Sequence, residues 1–161
     1  RERETTDYAI AFAETGHLVL GTLHTTGAVK TIDRVIDALP GDMREQTKSF
    51  LAQSLNAVIS QNLVRTPDGR GRKAIVEIMI MTRAIAKLIM TDQTHQIPTQ
   101  LQTGKEASMQ TMDQALLAAI AAKEVDPEDA FEYAVDKRPF TRFVPDGTAI
   151  LKADVTQGLD Q

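Results

Sequence analysis

The order of apolar and polar residues near the start of the chain predicts a strand followed by a helix. Residues 17 to 24 form a short apolar run with leucine or valine on both alternating faces, and a histidine stands at each end. Burial of both faces is typical of a strand in a parallel sheet. Residues 28 to 39 then repeat apolar side chains at helical spacing. Strand, polar turn and helix together form a βα unit, which presents polar groups at the carboxyl end of a sheet.

The remaining pattern predicts helices around one hairpin. The turn Pro67–Gly71 is followed by a second arm over residues 73 to 81. Residues 57 to 64 either complete the preceding helix or form the first arm. Periodic apolar residues predict the other helices, which cover residues 5–15, 43–56, 84–90, 93–103, 111–122 and 126–135.

These elements predict an α/β fold with three segments. Sheet-forming sequence stops near Thr82, so we place a boundary there and assign residues 1–81 to an α/β part. Residues 82–135 form a helical module. Beyond Asp136 the periodicity ends, and three breakers predict an irregular tail over residues 136–161.

Composition excludes several kinds of function. The chain has 161 residues, 42% of them apolar, with a net charge of −4 and no cysteine. Disulfides and thiolate metal sites are excluded, and the acidic charge argues against direct nucleic-acid binding. No apolar run reaches the ~20 residues of a membrane span, so we expect no membrane insertion. Because the sequence opens at Arg1 in a charged run without methionine, we expect it to be a piece of a longer protein.

His24 is the main candidate for chemistry. It closes the predicted strand, and Thr25 or Thr26 then caps the helix, where unpaired N–H groups stabilise a phosphate. From the residues alone, a histidine that bonds a neighbouring carbonyl is the favoured interpretation. His17 follows Gly16, where a cation complements the dipole of the preceding helix.

Other kinds of site find little support. His17 and His24 are seven positions apart, on opposite faces of a strand, so we predict no metal site. His95 stands in a polar loop and is expected to be solvated. The basic stretch Gly69–Lys73 is not a phosphate loop, because that loop ends in Gly-Lys-Ser/Thr and leads into a helix.

Several stretches resemble one protein family in order and content. They are Arg1–Thr5 followed by Ala9–Val19, Gly21–Thr26 with Ala28 and Lys30–Arg34, Ser60–Leu63, Asp68–Arg72, Val76–Met79 and Met109–Leu116. Together they resemble the secretion and pilus ATPases, and specifically the PilT/PilU twitching-motility branch. The second stretch resembles the histidine box of that family.

The resemblance implies a fold and an activity. Residues 1–81 would be the C-terminal part of a RecA-like P-loop ATPase core, in a cytoplasmic homo-hexamer beneath the pilus platform protein at the inner membrane. Its cofactors would be ATP and Mg²⁺, and its work pilus retraction. The resemblance implies that His24 approaches the γ-phosphate beside Thr25 and that His17 supports the same box. Arg1 and Glu2 would end the Walker B motif. The phosphate loop and the catalytic glutamate would lie upstream, so this segment alone would not hydrolyse ATP.

One stretch departs from the family. Residues 84–91 keep the apolar positions of a retraction-associated helix but lack its arginines and its glutamate. Two alternatives therefore stay open. One is a sibling type II/IV secretion or DNA-uptake ATPase, and the other is a non-catalytic assembly or docking module.

Overall fold

A computed structural model describes residues 2 to 144, with side chains from residue 4 onward. Within that part the chain forms helices α1 Glu2–Glu14, α2 Ala28–Asp37 and α3 Arg44–Ser54, strands β1 Ala57–Arg65 and β2 Arg72–Ile80, and helices α4 Arg83–Met90, α5 Ile97–Thr103, α6 Met112–Ala121 and α7 Pro127–Tyr133. Short 3₁₀ turns lie at Gly41–Met43, Thr94–Gln96, Lys105–Ala107 and Arg138–Phe143. Each helix predicted from apolar periodicity is present, and α1 begins earlier than predicted.

The predicted strand over residues 17 to 24 is wrong. This segment is irregular, and Leu18 and Leu20 are 78% and 90% exposed. A strand is stable only when a neighbouring strand pairs its backbone groups. In the described part of the chain the one sheet contains just β1 and β2, so no described strand pairs with this segment.

The hairpin is antiparallel and its register is clear. The Thr66 N–H donates to the Gly71 carbonyl at 3.0 Å, and the Met81 N–H donates to the Asn56 carbonyl at 2.9 Å. These two bonds mark the turn and the open end of the same ladder. Gly69 takes φ +67° in the turn, a conformation that favours glycine. Residues 57 to 64 therefore form the first arm rather than the end of a helix.

The described residues form two compact units, and each hairpin strand contributes to both. The first unit comprises the chain up to Ser60 together with Glu77–Thr111. Its core is made of aliphatic side chains from α2 to α5 and from the open end of the hairpin. The fully buried members are Ala28, Ile32, Met79, Ile85, Ile89, Ile97 and Leu101. The boundary predicted near Thr82 lies inside this unit, where the Thr82 hydroxyl caps α4 by accepting the Ile85 N–H at 3.3 Å.

The second unit comprises residues 61–76 and the described chain from Met112 onward. Its core is built from α6, α7 and the turn end of the hairpin, and its fully buried members are Val64, Leu116, Val125, Ala130, Phe131 and Phe140. Asp126 begins α7 by accepting the N–H groups of Glu128 and Asp129 at 2.9 and 3.0 Å. Part of the tail predicted to be irregular is a 3₁₀ turn with Phe140 in the core. Residues 145 to 161 of that prediction lie outside the described residues.

Candidate functional site

The loop that carries His24 leads directly into α2. The His24 side chain is exposed at a bend, and it makes no hydrogen bond or ion pair with another described residue. Three residues separate it from Ala28, where α2 begins. An imidazole in this position is accessible to a ligand, and its position relative to the protein is set by the short loop that follows.

The N-terminus of α2 is capped by a residue that is distant in the sequence. The Ala28 N–H donates to Glu77 Oε1 at 2.8 Å, and Glu77 lies on β2. The N-cap position is Gly27, at φ +95°, which has no side chain to perform this role. The prediction that Thr25 or Thr26 caps α2 is therefore wrong. This backbone N–H is already bonded to a carboxylate, so it is not available to a phosphate.

Thr25 instead takes part in a hydroxyl relay between the loop and the start of α2. The Thr31 hydroxyl donates to the Gly27 carbonyl at 2.8 Å, and its oxygen lies 2.7 Å from the Thr25 hydroxyl oxygen. Because Thr31 has a single hydroxyl hydrogen, Thr25 must donate to Thr31. Two further side-chain donors at this end of α2 are the His24 ring and the exposed Lys30 ammonium, which lies on the first turn of α2 and contacts the Thr26 hydroxyl at 3.5 Å.

His17 has a local role at the end of α1. The Thr15 hydroxyl donates to the Phe12 carbonyl at 2.7 Å and lies 2.8 Å from His17 Nδ1. The Thr15 hydrogen is thus used, and the hydrogen-bond pattern assigns the proton to Nδ1 of His17. The ring also packs edge-on against Phe12, with 5.9 Å between the ring centroids. Gly16 reverses the chain at φ +85°. No described contact joins the rings of His17 and His24.

The structure describes Glu2 but not Arg1. Glu2 is the first residue of α1, and Arg1 lies outside the described residues. In the part of the chain that the structure describes, no group of three or more histidine or acidic side chains is arranged to hold a metal ion. Among the same residues, none of the helices has both the length and the apolar character needed to cross a membrane.

The site residues predicted from the sequence do not include Glu77. The sequence nevertheless marks it as unusual, because this acidic residue lies between Ile75 and Met79 on the face of β2 that packs inward. A carboxylate at a half-buried position requires a donor. The sequence does not say that the donor is the start of a helix 49 positions earlier.

Comparisons with known proteins identify the family. A family model described as "Type II/IV secretion system protein" matches residues 1–128. The chain is 50% identical over 130 residues to the twitching motility protein of Neisseria gonorrhoeae, which covers 81% of this chain and 35% of that protein. It is 39% identical over 162 residues to the type IV pilus ATPase PilU of Pseudomonas aeruginosa, which covers 99% of this chain and 42% of PilU.

A solved structure confirms the fold. The crystal structure of the pilus retraction motor PilT with bound ADP aligns with a TM-score of 0.75 and 37% identity, over 86% of this chain and 38% of that one. The predicted fold class, the C-terminal part of a RecA-like ATPase core followed by a small helical module, is confirmed. The chain spans 35% to 42% of the length of the proteins it matches. It belongs to the type II/IV secretion system protein family.

Proposed function

We propose that the full-length protein is a homo-hexameric ATPase that drives type IV pilus retraction, and that this chain supplies the C-terminal part of its ATPase core. The observation that carries the proposal is the 50% identity to a twitching motility protein, joined to the structural similarity to a pilus retraction motor. The motor would work in the cytoplasm against the pilus platform protein at the inner membrane. Direct nucleic-acid contact and membrane insertion are not part of the proposal.

His24 is proposed to contact the terminal phosphate of ATP. An exposed imidazole donates one hydrogen bond to a phosphate oxygen without any rearrangement of partners, since it has none among the described residues. A donor placed where charge develops on the transferred group lowers the barrier to phosphoryl transfer. The same donor loses its partner when the terminal phosphate leaves, so it distinguishes ATP from ADP.

The donors on this loop suit a nucleotide rather than a bare metal ion. His24 and Lys30 both donate hydrogen bonds and Lys30 is cationic, which favours phosphate oxygens. Mg²⁺ bound with the nucleotide supplies neutralisation of the phosphate charge. In this proposal Thr25 shapes the loop through its hydrogen bond to Thr31. His17 stabilises the end of α1 through its hydrogen bond to Thr15. Arg1 and Glu2 keep their proposed place near the nucleotide on the family resemblance alone.

Steady-state kinetics of the full-length protein tests this function. We expect His24→Ala to lower kcat by about 100-fold, as loss of a preorganised donor does, while ATP affinity changes by less than about threefold. His95→Ala is the matched control, because His95 is an exposed histidine on a different element, the 3₁₀ turn Thr94–Gln96. An equal loss of rate and affinity in His24→Ala, or no loss, would contradict the proposal.

A PilU-type ATPase is a second candidate, for two reasons. The alignment with PilU extends over 99% of this chain, and residues 84–91 lack the arginines of the retraction-associated helix. Twitching assays in Pseudomonas aeruginosa strains that lack PilT or PilU separate the candidates. Rescue of the strain without PilT favours the first, and rescue restricted to the strain without PilU favours the second.

A further inference from the structure

The contact between Glu77 and Ala28 joins two distant parts of the first unit. The carboxylate comes from the middle of β2, and the N–H that it accepts opens the helix that follows the histidine loop. Ala28 is 1% exposed, and Glu77 is half-buried, so water does not readily replace this bond. The hairpin therefore fixes the first turn of α2.

The loop between His24 and Ala28 links the position of His24 to the fixed start of α2. It is three residues long, and the relay from Thr25 through Thr31 to the Gly27 carbonyl closes it on the first turn of α2. A loop so short and internally bonded has few alternative shapes. The position of the His24 backbone is consequently set by where α2 begins.

Gly27 leaves the cap of α2 to Glu77. Gly27 lies at φ +95°, which side chains of L residues rarely adopt, and it has no side chain that could accept a hydrogen bond from the start of α2. The partial positive charge of the helix start favours a carboxylate over a neutral acceptor. Glu77 thus performs from the sheet the role that an N-cap aspartate performs locally.

We infer that Glu77 is a positioning residue for His24, and the inference rests on the proposed ATPase function. Glu77 does not touch the nucleotide. It holds the start of α2 so that the imidazole reaches the terminal phosphate. Loss of the carboxylate releases the first turn of α2, which increases the number of positions His24 adopts and lowers the fraction that is productive.

A double-mutant cycle on the full-length protein tests the inference, with kcat and KM for ATP as readouts. We expect Glu77→Leu to lower kcat about tenfold with KM changed less than about threefold, as the loss of an interaction made only in the transition state does. Glu77→Gln keeps an acceptor of the same reach and should retain kcat within about threefold of the wild type. Glu77→Asp keeps the charge but is shorter by one methylene, so its kcat should fall. Adding Glu77→Leu to His24→Ala should lower kcat no further.

Controls and outcomes separate this inference from the function on which it rests. Glu106→Leu changes an exposed glutamate of the same unit and should leave both parameters unchanged. If Glu77→Leu does not fold, Glu77→Asp and Glu77→Gln carry the comparison. Additive losses in the double mutant, or wild-type kcat in Glu77→Asp and Glu77→Leu, would overturn the Glu77 role alone. Wild-type kcat in His24→Ala would overturn the proposed function and this inference together.

Discussion

Replacement of Asp113 by alanine should destabilise the second unit through a contact at the start of α6. The Asp113 carboxylate accepts the N–H of Val135 at 2.8 Å through one oxygen and the N–H of Asp136 at 2.9 Å through the other. These two donors lie just after α7, so the side chain fixes the path by which the chain leaves that helix. The following 3₁₀ turn inserts Phe140 into the core.

The magnitude follows from those two bonds. A hydrogen bond to a charged group contributes about 1.5–3 kcal/mol, so the pair has an upper limit of about 6 kcal/mol. Water replaces the carboxylate at the exposed Val135 more readily than at the partly buried Asp136, which reduces the net effect. We expect Asp113→Ala to lower the free energy of unfolding by about 2–3 kcal/mol and Tm by roughly 4–12 °C. Asp113→Asn keeps one acceptor and should show an intermediate loss.

Urea denaturation followed by circular dichroism measures the loss, and hydrogen exchange locates it. The amide protons of Val135 and Asp136 should exchange faster in Asp113→Ala. Glu132→Ala is the control, since Glu132 is exposed on α7 and should change stability by less than about 0.5 kcal/mol. Unchanged exchange at both amides, with a stability loss no larger than that of the control, would refute this explanation of Asp113.

Two further predictions concern the first unit. Lys48 is 1% exposed and donates to Asp92 Oδ2 at 2.7 Å, a bond that lowers the pKa of the Asp92 carboxyl. A lowered pKa means that the bond stabilises the fold above the ordinary carboxyl pKa and that this stability is lost as the pH falls through the lowered pKa of folded Asp92. Asp92→Asn should therefore be less stable than the wild type at pH 7, and the difference should shrink as the pH falls below the ordinary carboxyl pKa. A difference that stays constant on acidification would contradict this. Gly104→Ala should cost about 1–3 kcal/mol, because the new Cβ would overlap the Met109 side chain and lie 2.8 Å from the Gln100 carbonyl oxygen. A neutral Gly104→Ala in thermal unfolding would show that this turn relaxes freely.

Local patterns were sufficient for the helices and the turn. The sequence Asp126-Pro127-Glu128 predicts the start of α7, because the cap and the fixed φ of proline act within one turn of chain. Gly69 likewise predicts the hairpin turn, since its φ of +67° is a local requirement. Interactions between residues close in the sequence can therefore be predicted without knowing the rest of the fold.

Contacts between distant residues were not predictable in this way. Residues 17 to 24 have the composition of a buried strand, but composition does not provide the partner strand that their backbone requires. The cap at Ala28 was missed for the same reason: the sequence suggested Thr25 or Thr26, whereas in the structure Glu77 accepts the Ala28 N–H. His24 was selected as a candidate from its place before a helix. The geometry that holds its loop comes from a residue on the hairpin.

The most direct test of the account is a crystal structure of the full-length protein with a non-hydrolysable ATP analogue, compared with the ADP complex. We predict that a ring nitrogen of His24 lies within about 3.2 Å of a γ-phosphate oxygen in the first complex and contacts no phosphate in the second. A His24 ring that contacts no phosphate in either complex would contradict it.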